Sequence, residues 1–305
     1  MTPSKSNFNS KVLLFGEYSV VRSGDALCLP YSLFDGHLTF PKENVRIDSE
    51  LKALCQYLKK LKNEQRLLID LDVTSFEFDI SQGLSFNSTI PQGYGVGSSG
   101  ALCAAVFDRY HNSDLKALSE VDLKAAFAQI ESHFHGSSSG IDPLISYYNR
   151  PIKIVSKGQL EFVDLPNFEG KGKGAIFLLN TGRPRRTEPL VNLFLEKCKT
   201  DSFSKLCDQV LLPINDNCIE HFLCGDMDRL YEDFKELSDF QFRHFAPMIP
   251  KLCVDIWENG INGEDYYLKL CGAGGGGFLL GMTKDFDKAA NSLSGHEIRP
   301  LIRFP

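Results

Sequence analysis

The chain has 305 residues, 43% hydrophobic and 24% charged, and its formal charge is −6. This is long enough for two domains or one large one, and the acidic balance argues against a broad nucleic-acid-binding face while leaving room for a locally basic pocket. The polar start MTPSKSNFNS lacks a signal-peptide core, no apolar run nears the roughly 18 residues of a membrane span, and nine scattered cysteines without zinc-ligand spacing read as reduced thiols in a cytoplasm.

Val12 to Phe15 reads as a first strand, and Val20-Val21 and Ala26 to Leu29 flank the turn signal Ser23-Gly24-Asp25. Phe76, Phe78 and Ile80 alternate, Ser81-Gln82-Gly83 turns the chain, and Leu84 and Phe86 alternate again, which predicts a hairpin. Residues 99–110 are small or apolar and predict a helix buried on most sides. In 119–134, Leu123, Phe127, Ile130 and Phe134 recur at helical spacing behind Ser119 as N-cap, and the helix should end near Gly136. A second hairpin pairs Ile152 and Ile154 with Leu160 and Phe162. The run Asn167 to Gly172 is the expected domain boundary, giving domains of 1–170 and 171–305. Beyond it come a strand from Ala175 to Leu179, a mostly helical stretch over 187–258, a strand–glycine loop–strand from Tyr266 to Met282, and a last strand around Ile298 to Phe304. Strands joined partly by hairpins and mixed with helices favour an α+β fold over a doubly wound parallel sheet.

The strongest chemical signal is Pro91-Gln92-Gly93-Tyr94-Gly95-Val96-Gly97-Ser98-Ser99-Gly100, which runs straight into the buried helix. Glycines let successive N–H groups turn into one concavity, and the helix behind adds unpaired N–H groups and a positive dipole end. Together they make a phosphate cradle, in which Ser98 and Ser99 can cap the helix or offer hydroxyls to phosphate or Mg²⁺. No Gly-Lys-Ser/Thr follows, so this is not a Walker loop.

A second constellation joins Glu131 to the loop His135-Gly136-Ser137-Ser138-Ser139-Gly140-Ile141-Asp142. One carboxylate for Mg²⁺ and another near an attacking hydroxyl are what phosphoryl transfer needs. A third is Lys269-Leu270-Cys271-Gly272-Ala273-Gly274-Gly275-Gly276-Gly277-Phe278, whose apolar flanks point to a loop that brings backbone close to a ligand or another loop. The fourth is Asn180-Thr181-Gly182-Arg183-Pro184-Arg185-Arg186-Thr187, either a solvated basic loop or a grip on phosphate or carboxylate. Lys11, at the start of the first strand, means little alone.

Taken in order from Lys11 to Phe278, these segments resemble the GHMP kinases, the superfamily of galactokinase, homoserine kinase, mevalonate kinase and phosphomevalonate kinase. Ser10-Lys11 through Val20-Val21, His135-Gly136 through Asp142, and Asn180-Thr181 through Thr187 look most like the mevalonate kinase motifs. The resemblance implies a two-domain fold with the active site in the cleft between domains, and ATP and Mg²⁺ as cofactors. It implies Asp142 as catalytic base with Lys11 beside it, Ser99 and Glu131 as Mg²⁺ ligands, and Gly95 to Ser99 around the phosphates. Pro91, Gly93 and Gly100 complete that nucleotide loop, and Gly274 and Gly275 belong to the stretch that braces it. Glu17, Tyr18, Ser139, Gly140, Thr187, Gly272 and Ala273 fall on the acceptor side, with Arg185 expected to meet a carboxylate.

Two departures leave the acceptor open. Mevalonate kinases usually read Gly-Glu-His where this chain has Gly16-Glu17-Tyr18, and Gly100 stands where alanine is usual. Both forms lean towards phosphomevalonate kinase. The expected activity is phosphorylation of a small-molecule alcohol, mevalonate or phosphomevalonate, and the other class of reading is an inactive ATP- or metabolite-binding sensor. The helices of 187–258 can carry a homodimer interface or simply pack on the sheet.

Overall fold

The computed structural model describes residues 7–41, 46–112, 114, 118–155, 159–168, 170, 172–184 and 188–305. The chain divides into two compact units that alternate along it. The first takes residues up to Lys11, Pro30–Pro91 and Val96–Arg150; the second takes Val12–Leu29, Gln92–Gly95 and Pro151–Pro305.

Strands β1 (Phe8–Phe15) and β2 (Ala26–Thr39) are sheet neighbours, and each contributes residues to both units. In the first unit the distal half of β2 pairs antiparallel with β3 (Ser85–Ser88), with Gly36 opposite Ser88 and Thr39 opposite Ser85. Helix α1 (Ser49–Asn63) starts at Asp48, whose side chain accepts from the N–H groups of Glu50 and Leu51, and buries Leu51, Leu54, Cys55, Leu58 and Leu61. Helices α3 (Ser98–Tyr110), α4 (Glu120–His135) and α5 (Ile141–Tyr148) pack against one another in the same unit. Phe107 sits at their centre, 4.9 Å from the ring of Phe127 and 5.3 Å from that of Tyr147. The cap of α4 is a full capping box of Ser119 and Asp122, and its C-cap is Gly136, as the sequence pattern requires.

In the second unit the proximal half of β2 pairs antiparallel with β4 (Ile152–Val155), which pairs with β5 (Gln159–Phe162). A separate antiparallel sheet has the order β7-β8-β6-β9, built from β6 (Gly174–Asn180), β7 (Tyr267–Leu270), β8 (Phe278–Thr283) and β9 (Ile298–Phe304). Between β6 and β7 the chain is helical through α6 (Glu188–Lys197), α7 (Asp201–Leu206), α8 (Leu212–Cys224), α9 (Met227–His244) and α10 (Val254–Gly263). A π turn at Cys207–Leu211 joins α7 to α8 just before Pro213, whose missing N–H cannot continue the regular ladder. Helices α9 and α10 pack on β7, Trp257 is fully buried and donates to Ser238 Oγ, and α11 (Phe286–Ser292) precedes β9. The α+β class stands: the pairs β2–β3, β2–β4, β4–β5, β6–β8, β6–β9 and β7–β8 are antiparallel, and the strands mix with helices.

Three local expectations are corrected. Phe76, Phe78 and Ile80 lie on helix α2 (Val73–Ser81), capped by Asp72, with Val73, Phe76 and Ile80 buried and Phe78 62% exposed. The short alternation matched both periods, and the Asp72 cap, which accepts from Ser75 N–H, decides for helix. Val20–Arg22 is a 3₁₀ turn instead of a strand. The residues after Gly140 begin α5, so Asp142 stands in the first turn of a helix instead of on a loop.

Candidate active site

In the first unit the site grows from the N-termini of α3 and α5 and the C-terminal end of α4. Along the chain, Gly93 and Gly95 of the second unit and Gly97 of the first have φ of 77°, 74° and 81°, alternating with residues of negative φ, the backbone pattern that turns successive N–H groups to one side. Gly97 is the N-cap of α3 and no side chain caps it, so Ser98 and Ser99 are not spent on capping. A Cβ on Gly97 would lie 2.8 Å from Lys11 Cγ, and the Lys11 N–H donates to the Val96 carbonyl at 2.9 Å. The loop is thus laced to β1 beside the lysine.

Lys11 Nζ lies 2.9 Å from Asp142 Oδ1, with the lysine side chain 11% and the aspartate 33% exposed. Asp142 occupies the first turn of α5, where the helix dipole favours an anion. Gly140 caps α5 at φ 74°, and a Cβ there would sit 2.2 Å from the Lys124 carbonyl oxygen, so only glycine lets the loop cross α4 this closely. Ser139 Oγ accepts from the Ile141 N–H at 3.4 Å.

Glu131 is buried. Its Oε1 accepts from Ser99 Oγ at 3.0 Å and its Oε2 from Ser138 Oγ. His135 Nε2 is also 3.0 Å from Ser99 Oγ. Burial pushes the Glu131 carboxyl up to about 7; the Asp142 charge adds to the rise, while bonds from Ser138 and Ser99 and the Lys11 charge oppose it. Ser138 and His135 escaped assignment from the sequence, though the serine run after α4 was the signal.

Among the described residues no three His, Cys, Asp or Glu side chains converge as a metal-binding set. The hydroxyl of Ser99 and the carboxylate of Glu131, already in contact, are hard oxygen donors of the kind Mg²⁺ takes one or two at a time, with water and phosphate completing its shell. The pair therefore fits that ion.

In the second unit the third glycine motif spans β7 to β8. Gly272, Gly274, Gly275 and Gly277 have φ of 77°, 78°, 78° and 73°. The N–H groups of Gly275 and Gly277 donate to the carbonyls of Met248 and Arg183, each at 2.6 Å. A Cβ on Gly277 would lie 2.6 Å from the Tyr94 carbonyl oxygen, and the rings of Tyr94 and Phe278 are 5.2 Å apart, so this loop rests on the start of the 93–97 glycine loop. Glu17 is buried against Lys269, and Tyr18 donates its hydroxyl to the Ala273 carbonyl. Burial raises the Glu17 carboxyl, and Lys269 pulls it back down. Pro91 is half-buried and Arg183 exposed; Arg185, Arg186 and Thr187 lie outside the described residues.

Residues 51–150 match the model of the GHMP kinases N terminal domain, a stretch that includes Ser99, Glu131 and Asp142, and the fold is that of the GHMP kinases. Among solved structures, L. major mevalonate kinase in complex with R-mevalonate is similar at 19% identity and TM-score 0.63, over 96% of this chain and 91% of that one. Streptococcus pneumoniae phosphomevalonate kinase in complex with phosphomevalonate and AMPPNP is similar at 15% identity and TM-score 0.65, over 96% and 98%. Lactococcus lactis galactokinase complexed with galactose is similar at 14% identity and TM-score 0.65, over 98% and 93%. A search of curated proteins finds no match. No described helix is long and apolar enough to cross a membrane.

Proposed function

We propose that this protein is an ATP-dependent kinase that moves the γ-phosphoryl group onto the primary alcohol of a small carboxylate, with mevalonate as the acceptor. The observation that carries the reading is the 2.9 Å pair of Lys11 and Asp142 on the first turn of α5. Phosphoryl transfer asks for positioning and charge neutralisation more than covalent chemistry. Asp142 takes the proton of the acceptor hydroxyl, and Lys11 holds a positive charge beside the oxygen as it becomes the nucleophile. The backbone of Gly93 to Gly97 and the N-terminus of α3 hold the phosphates. Ser99 and Glu131 would hold Mg²⁺, which when bound neutralises triphosphate charge. Arg185 is assigned to the acceptor carboxylate from its place in the fourth motif, and the enzyme is placed in the cytoplasm.

The test is an ADP-release assay with ATP and Mg²⁺ against mevalonate, phosphomevalonate, homoserine and galactose in parallel. Turnover on mevalonate alone supports the assignment. Turnover on phosphomevalonate alone moves the acceptor to the phosphorylated alcohol, and ATP binding without turnover on any of the four replaces the kinase with a sensor.

A further inference from the structure

The turn after β1 reaches the third glycine motif with two consecutive side chains. Glu17 Oε1 accepts from Lys269 Nζ at 2.6 Å and from the Gly272 N–H at 3.4 Å. Lys269 donates again to the Leu270 carbonyl at 2.8 Å, and both charged side chains are out of solvent, at 0% and 1% exposure. The other carboxylate oxygen, Glu17 Oε2, is buried without a partner. Tyr18, held at φ 64°, donates to the Ala273 carbonyl at 2.7 Å, and its ring centroid lies 4.6 Å from Phe194 and 5.0 Å from Phe245. The turn itself cannot drift: a Cβ on Gly16, at φ 116°, would fall 2.3 Å from Ala26 Cβ.

From Gly272 and Ala273 the contact continues along the loop. Gly275 and Gly277 are pinned by their bonds to Met248 and Arg183, and Gly277 lies on the Tyr94 backbone. One packed path therefore runs from Glu17 and Tyr18 through residues 269–277 to Tyr94, all inside the second unit.

We propose that Glu17 and Tyr18 are positioning residues for the nucleotide, a clamp that sets the 272–277 loop and through it Tyr94, instead of contacts to the acceptor. The assignment rests on the kinase reading. Its physical reason is burial: a carboxylate sealed against a lysine has no face for a soluble acceptor, and each charge is tolerable inside only because the other is there. The tyrosine hydroxyl, spent on a loop carbonyl, reports the same division of labour. The tyrosine at this place then says nothing about which alcohol is phosphorylated.

Three variants test this: Tyr18→Phe, Glu17→Gln, and Glu17→Gln combined with Lys269→Met, each followed by steady-state kinetics, ATP-binding calorimetry and amide hydrogen exchange. Losing one buried hydrogen bond in Tyr18→Phe should raise the KM for ATP about fivefold. It should speed exchange of the Gly275 and Gly277 amides by a similar factor, because both are protected only while the loop is closed. The acceptor KM and the preference between mevalonate and phosphomevalonate should stay within about twofold, as expected of an interaction that serves ATP binding alone. Glu17→Gln should weaken ATP more strongly, and the double variant should recover most of that loss because no unpaired ammonium stays buried. A change confined to the acceptor KM or to acceptor preference overturns the clamp, as does unchanged exchange at Gly275 and Gly277. If Glu17→Gln does not fold, Tyr18→Phe, which deletes one oxygen, still decides. If the wild type turns over none of the acceptors, the kinase reading fails alone, and exchange with ATP calorimetry still rules on the clamp.

Discussion

Gly100 and Asp142 meet backbone to backbone: a methyl group on Gly100 would lie 2.8 Å from the Asp142 carbonyl carbon and 2.9 Å from its Cβ. The first turns of α3 and α5 can therefore approach until the aspartate stands beside the N-terminal turn of α3. Gly100 has no positive φ, so the constraint is space alone. Gly100→Ala should cost about 1–3 kcal/mol of stability by overpacking and lower turnover by up to about 100-fold through misplacement of Asp142. Urea unfolding and kcat measure the two effects. Wild-type values for both would mean that α3 and α5 have room to spare, even though alanine is the usual residue here in the family this chain resembles.

Asp142→Asn keeps the shape of the side chain and removes its charge. Turnover should fall about 10²- to 10⁴-fold with the loss of a general base, while ATP affinity by calorimetry changes little. Near-normal turnover would remove Asp142 from the mechanism.

Glu131 links site chemistry to stability. Its carboxyl is raised from 4.5 to about 7, so between those values the folded chain keeps a proton that the unfolded chain has lost. Stability from this group is present at low pH and fades as pH rises through that window. Glu131→Gln cannot ionise, and without nucleotide it should be more stable than the wild type at pH 8 by about 1–3 kcal/mol. At pH 4.5 the advantage should shrink. Melting temperatures at the two pH values check the sign, and Mg²⁺-dependent turnover of the same variant should be largely lost. An equal difference at both pH values would contradict the raised carboxyl.

Helix α2 offers a test of face. In a strand Phe76 and Phe78 would share one side; in the helix Phe76 is 1% and Phe78 62% exposed. Phe76→Ala should cost about 3–5 kcal/mol and Phe78→Ala under about 0.5 kcal/mol, read from denaturant midpoints. Similar costs at the two positions would return the segment to a strand.

The backbone geometry of the candidate site was legible because its signals are local. Glycines spaced two apart at 93, 95 and 97 announce a backbone turned inwards, and Ser119 and Gly136 bracket α4 within a few residues of its ends. Helix α1 carries its apolar side on Leu51, Leu54, Leu58 and Leu61, a helical period that is also local in the sequence. Helix α5 has only eight residues, too few for a period to emerge, and its start depends on Gly140 crossing the backbone of α4.

By itself the sequence determined the groups on offer: a glycine-rich backbone, two carboxylates, a lysine and the order of the motifs. These follow from residue type and short spacing, which act before the chain packs. Tertiary structure decided what each group is spent on. Glu17 and Lys269 are 252 residues apart, and only packing could make them the two halves of a buried ion pair. Burial and partners belong to whichever element folds against a side chain, and no local pattern around Glu17 encodes the arrival of β7.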